Sequence, residues 1–179
     1  MHPFHPPPPP MRLYLMRHGI AEDAGPMQSD ASRALTARGR ARLDAQARAF
    51  ARLAAPGATA LPTAPWACDV LLASPYVRAA DTAAYVGRAF GVTPVLDERL
   101  ASGAGPSDYA AVLAAQPRTA SVWVVTHEPD LSRTVEHLTG ARVPMRKGTV
   151  AVLDVHAAKA GGGVLLGVYD PEVLAALGA

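Results

Sequence analysis

Three short apolar runs, MRLYLM (11–16), DVLLA (69–73) and SVWVVT (121–126), each end in polar residues and are each followed by a segment with helical character. Runs of five or six residues rich in branched and aromatic side chains are too short for buried helices and fit strands covered on both faces. Strands of this kind alternating with helices pack as a parallel sheet between two helical layers. The expected fold is therefore α/β, a three-layer sandwich with a largely parallel central sheet.

The intervening segments support this. In LTARGRARLDAQARAFARLAA, Leu43, Ala47, Phe50 and Ala54 recur at spacings of four, three and four, and Thr36 is placed to cap an amphipathic helix. After DVLLA, Ser74 reads as an N-cap and Pro75 as the first helical residue, with the helix running to Phe90. TPVLDERL reads as a weaker strand, followed by a glycine-rich loop, ASGAGPS, and a helix over about 107–115. The helix after SVWVVT is closed by Gly140. TVAVLDVH and GVLLGVYD, separated by AAKAGGG, read as a hairpin or neighbouring strands, and residues 19–34 as a loop.

Composition narrows the function classes. Seventeen basic and 15 acidic residues give a net charge of +2, too balanced for a nucleic-acid binder by bulk electrostatics. Arg38, Arg40, Arg42, Arg48 and Arg52 spread around one helix and read as a solvated face. No stretch approaches the ~20 consecutive apolar residues that span a bilayer, so no membrane association is expected. The lone Cys68 can form no internal disulfide, which favours the cytoplasm. MHPFHPPPPP (1–10) reads as a disordered proline-rich leader before a single domain over 11–179.

In an open α/β sheet, ligands gather beyond the carboxyl ends of the strands. The three runs would deliver Arg17 and His18, then Ser74 with Arg78 one turn further on, then His127 and Glu128, to one shared edge. Two arginines and two histidines together repel one another when alone and are stabilised by a phosphoryl group, whose oxygens match guanidinium forks and imidazole donors.

Five blocks in this order, LMRHG (15–19), LTARG (35–39), SPYVRAADTA (74–83), VTHEPDLS (125–132) and MRKGTVAVLDV (145–155), resemble the histidine phosphatase superfamily, specifically its small phosphohistidine phosphatase branch, the SixA type. The resemblance implies a phosphoglycerate mutase-like fold and a two-step reaction without a cofactor or metal. His18 would attack phosphorus through a neutral ring nitrogen, and water would then release inorganic phosphate. Arg17, Arg78 and His127 would bind and stabilise the phosphoryl oxygens, with Ser74 as a further substrate-binding residue. Neighbouring cations would keep His18 neutral by penalising another charge.

Relatives acting on phosphomonoesters protonate the leaving group with an acid from a later loop, and here the glycine-rich centre of that loop has no carboxylate. Glu98 and Glu128 are the candidate acids. A phosphohistidine substrate lowers that demand, because imidazole leaves more easily than an alkoxide. The partner implied is a phosphohistidine-bearing protein; the alternatives are a general phosphomonoesterase acting on small phosphate esters or phosphopeptides, and an inactive phosphate-binding scaffold. Other chemistries fit poorly. His127 and His137 are ten residues apart rather than the four of a zincin helix, and Ser74 stands where a cysteine phosphatase built on Cys68 needs arginine. Neither a Walker A loop nor a G-x-S-x-G elbow occurs.

Overall fold

The computed structural model describes residues 9–179 apart from positions 60 and 64, so most of the expected leader, residues 1–8, lies outside the described residues. One six-stranded sheet has the order β3-β2-β4-β1-β5-β6. Its strands are β1 Met11–Arg17, β2 Val70–Ala73, β3 Val95–Leu96, β4 Ser121–Thr126, β5 Val150–Val155 and β6 Gly163–Tyr169. β1 to β4 run parallel, while β5 lies antiparallel between β1 and β6. The helices are α1 Ala37–Ala54, α2 Val77–Phe90, α3 Pro106–Ala114, α4 Asp130–Thr139 and α5 Pro171–Leu177. No helix among the described residues is long and apolar enough to cross a membrane.

The sheet is buried on both faces because successive side chains of its central strands alternate between two cores. Leu13 and Leu15 of β1 join Val122 and Val124 of β4, with Leu113 of α3 and Leu131 and Val135 of α4. Tyr14, Met16, Trp123 and Val125 face the other way and meet Phe50, Trp66 and Val86. Tyr14 and Trp123 stack with ring centroids 4.6 Å apart, a contact that adds an orientational preference to area burial.

Thr36 caps α1, its side chain accepting from the Gly39 amide, and Gly140 ends α4 with φ +75°. The α2 start differs from the sequence expectation. Tyr76, not Ser74, is the N-cap, so Pro75 precedes the helix instead of opening it, and Ser74 is left free for a different task. The strand expected in TPVLDERL shrinks to two exposed residues at the sheet edge, followed by a 3-10 turn at Glu98–Leu100.

The α1 arginines form the expected solvated face, with Arg38, Arg40, Arg48 and Arg52 exposed, but several of them also hold partners within the protein. Arg42 pairs with Glu172 of α5, Arg48 donates to the Gly178 carbonyl, and Arg52 donates to the Leu177 and Ala179 carbonyls. Arg42 thus meets the first turn of α5, whereas Arg48 and Arg52 sit at its carbonyl end, where the helix dipole favours positive charge. Arg40 turns back onto the Leu35 carbonyl.

Candidate active site

Strand register places the site. Arg17 is level with Thr126, and Ala73 with Val125, so β1, β2 and β4 end together. The ladder continues one step, with the His18 amide donating to the Thr126 carbonyl and the Ser74 amide to the Val125 carbonyl. His18, Ser74 and His127 therefore emerge side by side from one edge. The two imidazoles lie 5.2 Å apart, centroid to centroid.

Gly19 makes the close turn after His18 possible. A Cβ there would lie 2.7 Å from Leu43 Cδ1, and one on Gly39 would lie 2.2 Å from the Ile20 carbonyl oxygen. Both glycines let α1 pack directly against the segment leaving β1. The Gly19 amide donates to Thr82 Oγ1 at 3.0 Å, fixing the same segment to α2.

The hydrogen bonds assign the His18 tautomer. Nδ1 lies 2.7 Å from the Gly19 carbonyl oxygen, which can only accept, so Nδ1 carries the proton. Nε2 then keeps its lone pair and accepts from Arg78 Nε at 3.1 Å. His18 is 5% exposed, and its pKa is lowered to about 3. Burial is the largest cause, followed by His127, Arg78 and Arg17. The neighbouring cations thus favour the neutral ring as expected, and withdrawal from water contributes more than they do.

His127 is also neutral, its pKa lowered to about 4 by burial first and Arg78 second. Its Nε2 lies 2.7 Å from Ser74 Oγ, which already accepts from the Tyr76 amide. Where the Ser74 hydroxyl donates to His127 Nε2, the imidazole proton lies on Nδ1. That Nδ1 is buried without a protein partner. Ser74 thus serves as an orienting partner of His127. The Tyr76 ring packs 4.9 Å from the His127 ring, and the Arg78 guanidinium sits 5.2 Å from the Tyr76 centroid.

The two arginines are held differently. Arg17 donates through Nη1 to the Met145 carbonyl at 2.9 Å, and its Nε is buried without a partner. Arg78 donates to His18 and, through both terminal nitrogens, to the carbonyl and carboxylate of Asp30. Lys147 adds a further cation at the rim. Its pKa is lowered by burial and then by Arg17 and Arg33, so it shares their field.

Of the two candidate acids, Glu128 adjoins the cluster. One of its carboxylate oxygens accepts from Ser132 Oγ at 2.7 Å, the other is buried without a partner, and its charge favours the charged form of Arg17. Glu98 is exposed on the 3-10 turn, and no hydrogen bond or ion pair among the described residues ties it to the cluster. Burial and Asp69 push the Cys68 thiol up to about 12, so it is a poor nucleophile. No group of three or more His, Cys, Asp or Glu among the described residues is arranged to hold a metal ion.

Asp30, Thr82, Tyr76 and Lys147 were not singled out by sequence reasoning. Thr82 follows Arg78 by four residues, so helix periodicity alone places it on the same face. Nothing local marks Asp30, whose partner Arg78 is 48 residues away.

The model of the histidine phosphatase superfamily (branch 1) matches residues 13–102. A protein of Agrobacterium tumefaciens designated the phosphohistidine phosphatase SixA is 28% identical, with 90% of this chain and 99% of that chain covered and a TM-score of 0.69. A SixA counterpart from Nakamurella multipartitia is also 28% identical, over 93% and 99% of the two chains, with a TM-score of 0.73. A mycobacterial glucosyl-3-phosphoglycerate phosphatase shares the fold at 16% identity, covering 87% of this chain and 97% of its own, with a TM-score of 0.61. No curated protein sequence matches the chain. The matched segment spans half of the chain and takes in β1 through the turn after β3, and the phosphoglycerate mutase-like α/β sandwich extends over the remainder. This chain belongs to the histidine phosphatase superfamily, and its chemistry is that of a phosphatase.

Proposed function

We propose that this protein removes phosphate from phosphohistidine on another protein, through a phosphoenzyme formed on His18, and that the unit over 11–179 carries the activity. The observation that carries the reading is the neutral, buried His18, whose Nε2 lone pair points at Arg78 while its proton is fixed on the Gly19 carbonyl. In the first step His18 Nε2 attacks phosphorus, the bond from phosphorus to the substrate imidazole breaks, and that imidazole takes up a proton from solvent water. In the second, a water oxygen attacks phosphorus, the bond to Nε2 breaks, and His18 returns to its neutral form with inorganic phosphate released.

Arg17 and Arg78 supply the fixed positive charge for the phosphoryl oxygens, and His127 Nδ1–H supplies a neutral donor oriented by Ser74. No cofactor enters these steps. The surroundings suit a substrate displayed on a protein surface. Between β3 and β4 there is only a 3-10 turn and α3, and the loop joining them is pinned by the Gly103 amide to Asp130 at 2.8 Å, which leaves little chain for a closing lid. A single unreactive thiol accords with action in the cytoplasm.

A second reading, a general phosphomonoesterase, is favoured by one feature. Glu128 is the candidate acid that adjoins the cluster, with one oxygen unpartnered, and in its protonated form it would serve an alkoxide leaving group. Rapid quenching with a radiolabelled phosphohistidine protein tests the main reading. Acid-labile, alkali-stable label is expected on the enzyme and is absent from His18→Ala; label retained by that variant removes His18 from the role. A kcat/KM for sugar phosphates or phosphopeptides equal to that for the phosphohistidine protein would favour the second reading.

A further inference from the structure

Each of the three nitrogens of Arg78 already has a partner within the protein. Its Nε–H is directed at His18 Nε2, one terminal nitrogen donates to the Asp30 carbonyl, and the other donates to Asp30 Oδ2 at 2.8 Å. The other Asp30 oxygen accepts from Arg33 Nη1 at 2.8 Å. One carboxylate thus bridges two guanidinium groups, as two oxygens of a bound phosphate would.

The partners differ in how firmly they are held. The Arg78 side chain is 5% exposed, whereas that of Asp30 is 51% exposed. Asp30 opens a single 3-10 turn in the connection between β1 and α1, where residues 22–30 are all exposed and the turn buries no side chain. Releasing this carboxylate from Arg78 sacrifices no apolar packing, while moving Arg78 would disturb α2. Arg33 and Arg78 hold the Asp30 carboxyl below its usual range, Arg33 contributing more, so the group is an anion across the working pH range.

We propose that Asp30 is an internal anion that competes with the phosphoryl group for Arg78: it swings away when substrate binds and returns to displace product phosphate. The inference rests on the reading that Arg78 binds phosphoryl oxygens. It assigns the exposed connection a kinetic role, because an internal competitor lowers apparent phosphate affinity by the fraction of molecules in which Arg78 is free. Substrate is disfavoured by the same factor as product at this one contact, but a substrate protein has further surface with which to bind, and inorganic phosphate has none.

The test measures binding of inorganic phosphate to the full chain by isothermal titration calorimetry in the parent, Asp30→Asn, Asp30→Ala, Asp23→Asn and Arg78→Ala. Asparagine removes the charge at nearly constant size on an exposed turn, which protects the fold. Asp23 is the control for bulk charge: it acts on Lys147 at the same rim, and no hydrogen bond or ion pair ties it to an arginine among the described residues. Both Asp30 variants are expected to bind phosphate about five- to tenfold more tightly, with less than a twofold change for Asp23→Asn. A gain below twofold in the Asp30 variants, weaker binding, or an equal gain in Asp23→Asn overturns the proposal. Phosphate affinity unchanged in Arg78→Ala would instead refute the underlying reading of the site, so the two failures are distinguishable.

Discussion

Arginine does opposite work at the sheet edge and on α1. Arg42, Arg48 and Arg52 direct their donors at Glu172, Asp44 and the last carbonyls of the chain, so their charge is spent within the protein. Arg17 keeps a buried donor without a partner, and Arg78 meets the lone pair of His18 and the carbonyl and exposed carboxylate of Asp30. Function separates from scaffolding here by where a guanidinium finds its partners: the α1 arginines close an interface, whereas the edge arginines hold a field ready for an incoming anion.

The comparison predicts a double dissociation, and its largest arm is activity. Arg78→Ala should lower kcat/KM for the phosphohistidine substrate by about 10²–10³-fold, the cost of removing one fixed donor from a developing oxyanion. Arg78→Lys should recover little, since an ammonium cannot hold His18 and two further acceptors in one plane. Any fall in the thermal midpoint should be small beside that loss of activity, because Arg78 also repels Arg17 in the free protein. A midpoint that fell while kcat/KM held would place Arg78 with the scaffolding arginines and break the contrast.

The histidines sharpen it further, since a site whose histidines are neutral leaves the positive charge to the arginines. With pKa values lowered to about 3 and about 4, His18 and His127 stay unprotonated at pH 5, where an unfolded chain with imidazoles near 6.5 has taken up protons. The unfolded state binds more protons in this window, so stability falls as pH falls from 6.5 toward 3. Each histidine should contribute about 1.5 kcal/mol of that loss between pH 6.5 and pH 5. His18→Gln removes one contribution, so urea unfolding should show its stability relative to the parent rising by about that amount over the interval. NMR titration of either imidazole near pH 6.5 would contradict both statements.

The residues legible in the sequence are those whose fate is decided locally. MRLYLM, DVLLA and SVWVVT become β1, β2 and β4 within a residue or so, because runs of this length and composition have few other stable outcomes. The polar residues that follow meet at one edge because parallel register forces it. What could not be read depends on distant partners. Ser74 has the chemistry of a cap, yet its hydroxyl is drawn to His127, 53 residues away. PEVLAAL is too short to be a convincing helix alone; it becomes α5 through the Asp170 cap and its packing on α1, where a Cβ on Gly178 would meet the Ala45 carbonyl at 1.8 Å. That packing also supplies the carbonyls that the exposed Arg48 and Arg52 hold, at the end of a helix the pattern did not announce.

The smallest effect closes the dissociation from the other side. Arg48 donates to the Gly178 carbonyl at 2.7 Å and pairs with Asp44 at 2.7 Å, but its side chain is 53% exposed, so water screens both contacts. Arg48→Ala should cost about 0.5 kcal/mol by urea unfolding, in the range of exposed ion pairs, and leave kcat/KM within twofold of the parent. The loss should shrink in 1 M salt, where the Debye length drops to about 3 Å. A larger loss that salt does not touch would mean the hydrogen bond to α5 outweighs the ion pair. A fall in kcat/KM would mean that α5 is linked to the sheet edge through α1, and the two sets of arginines could no longer be treated as separate systems.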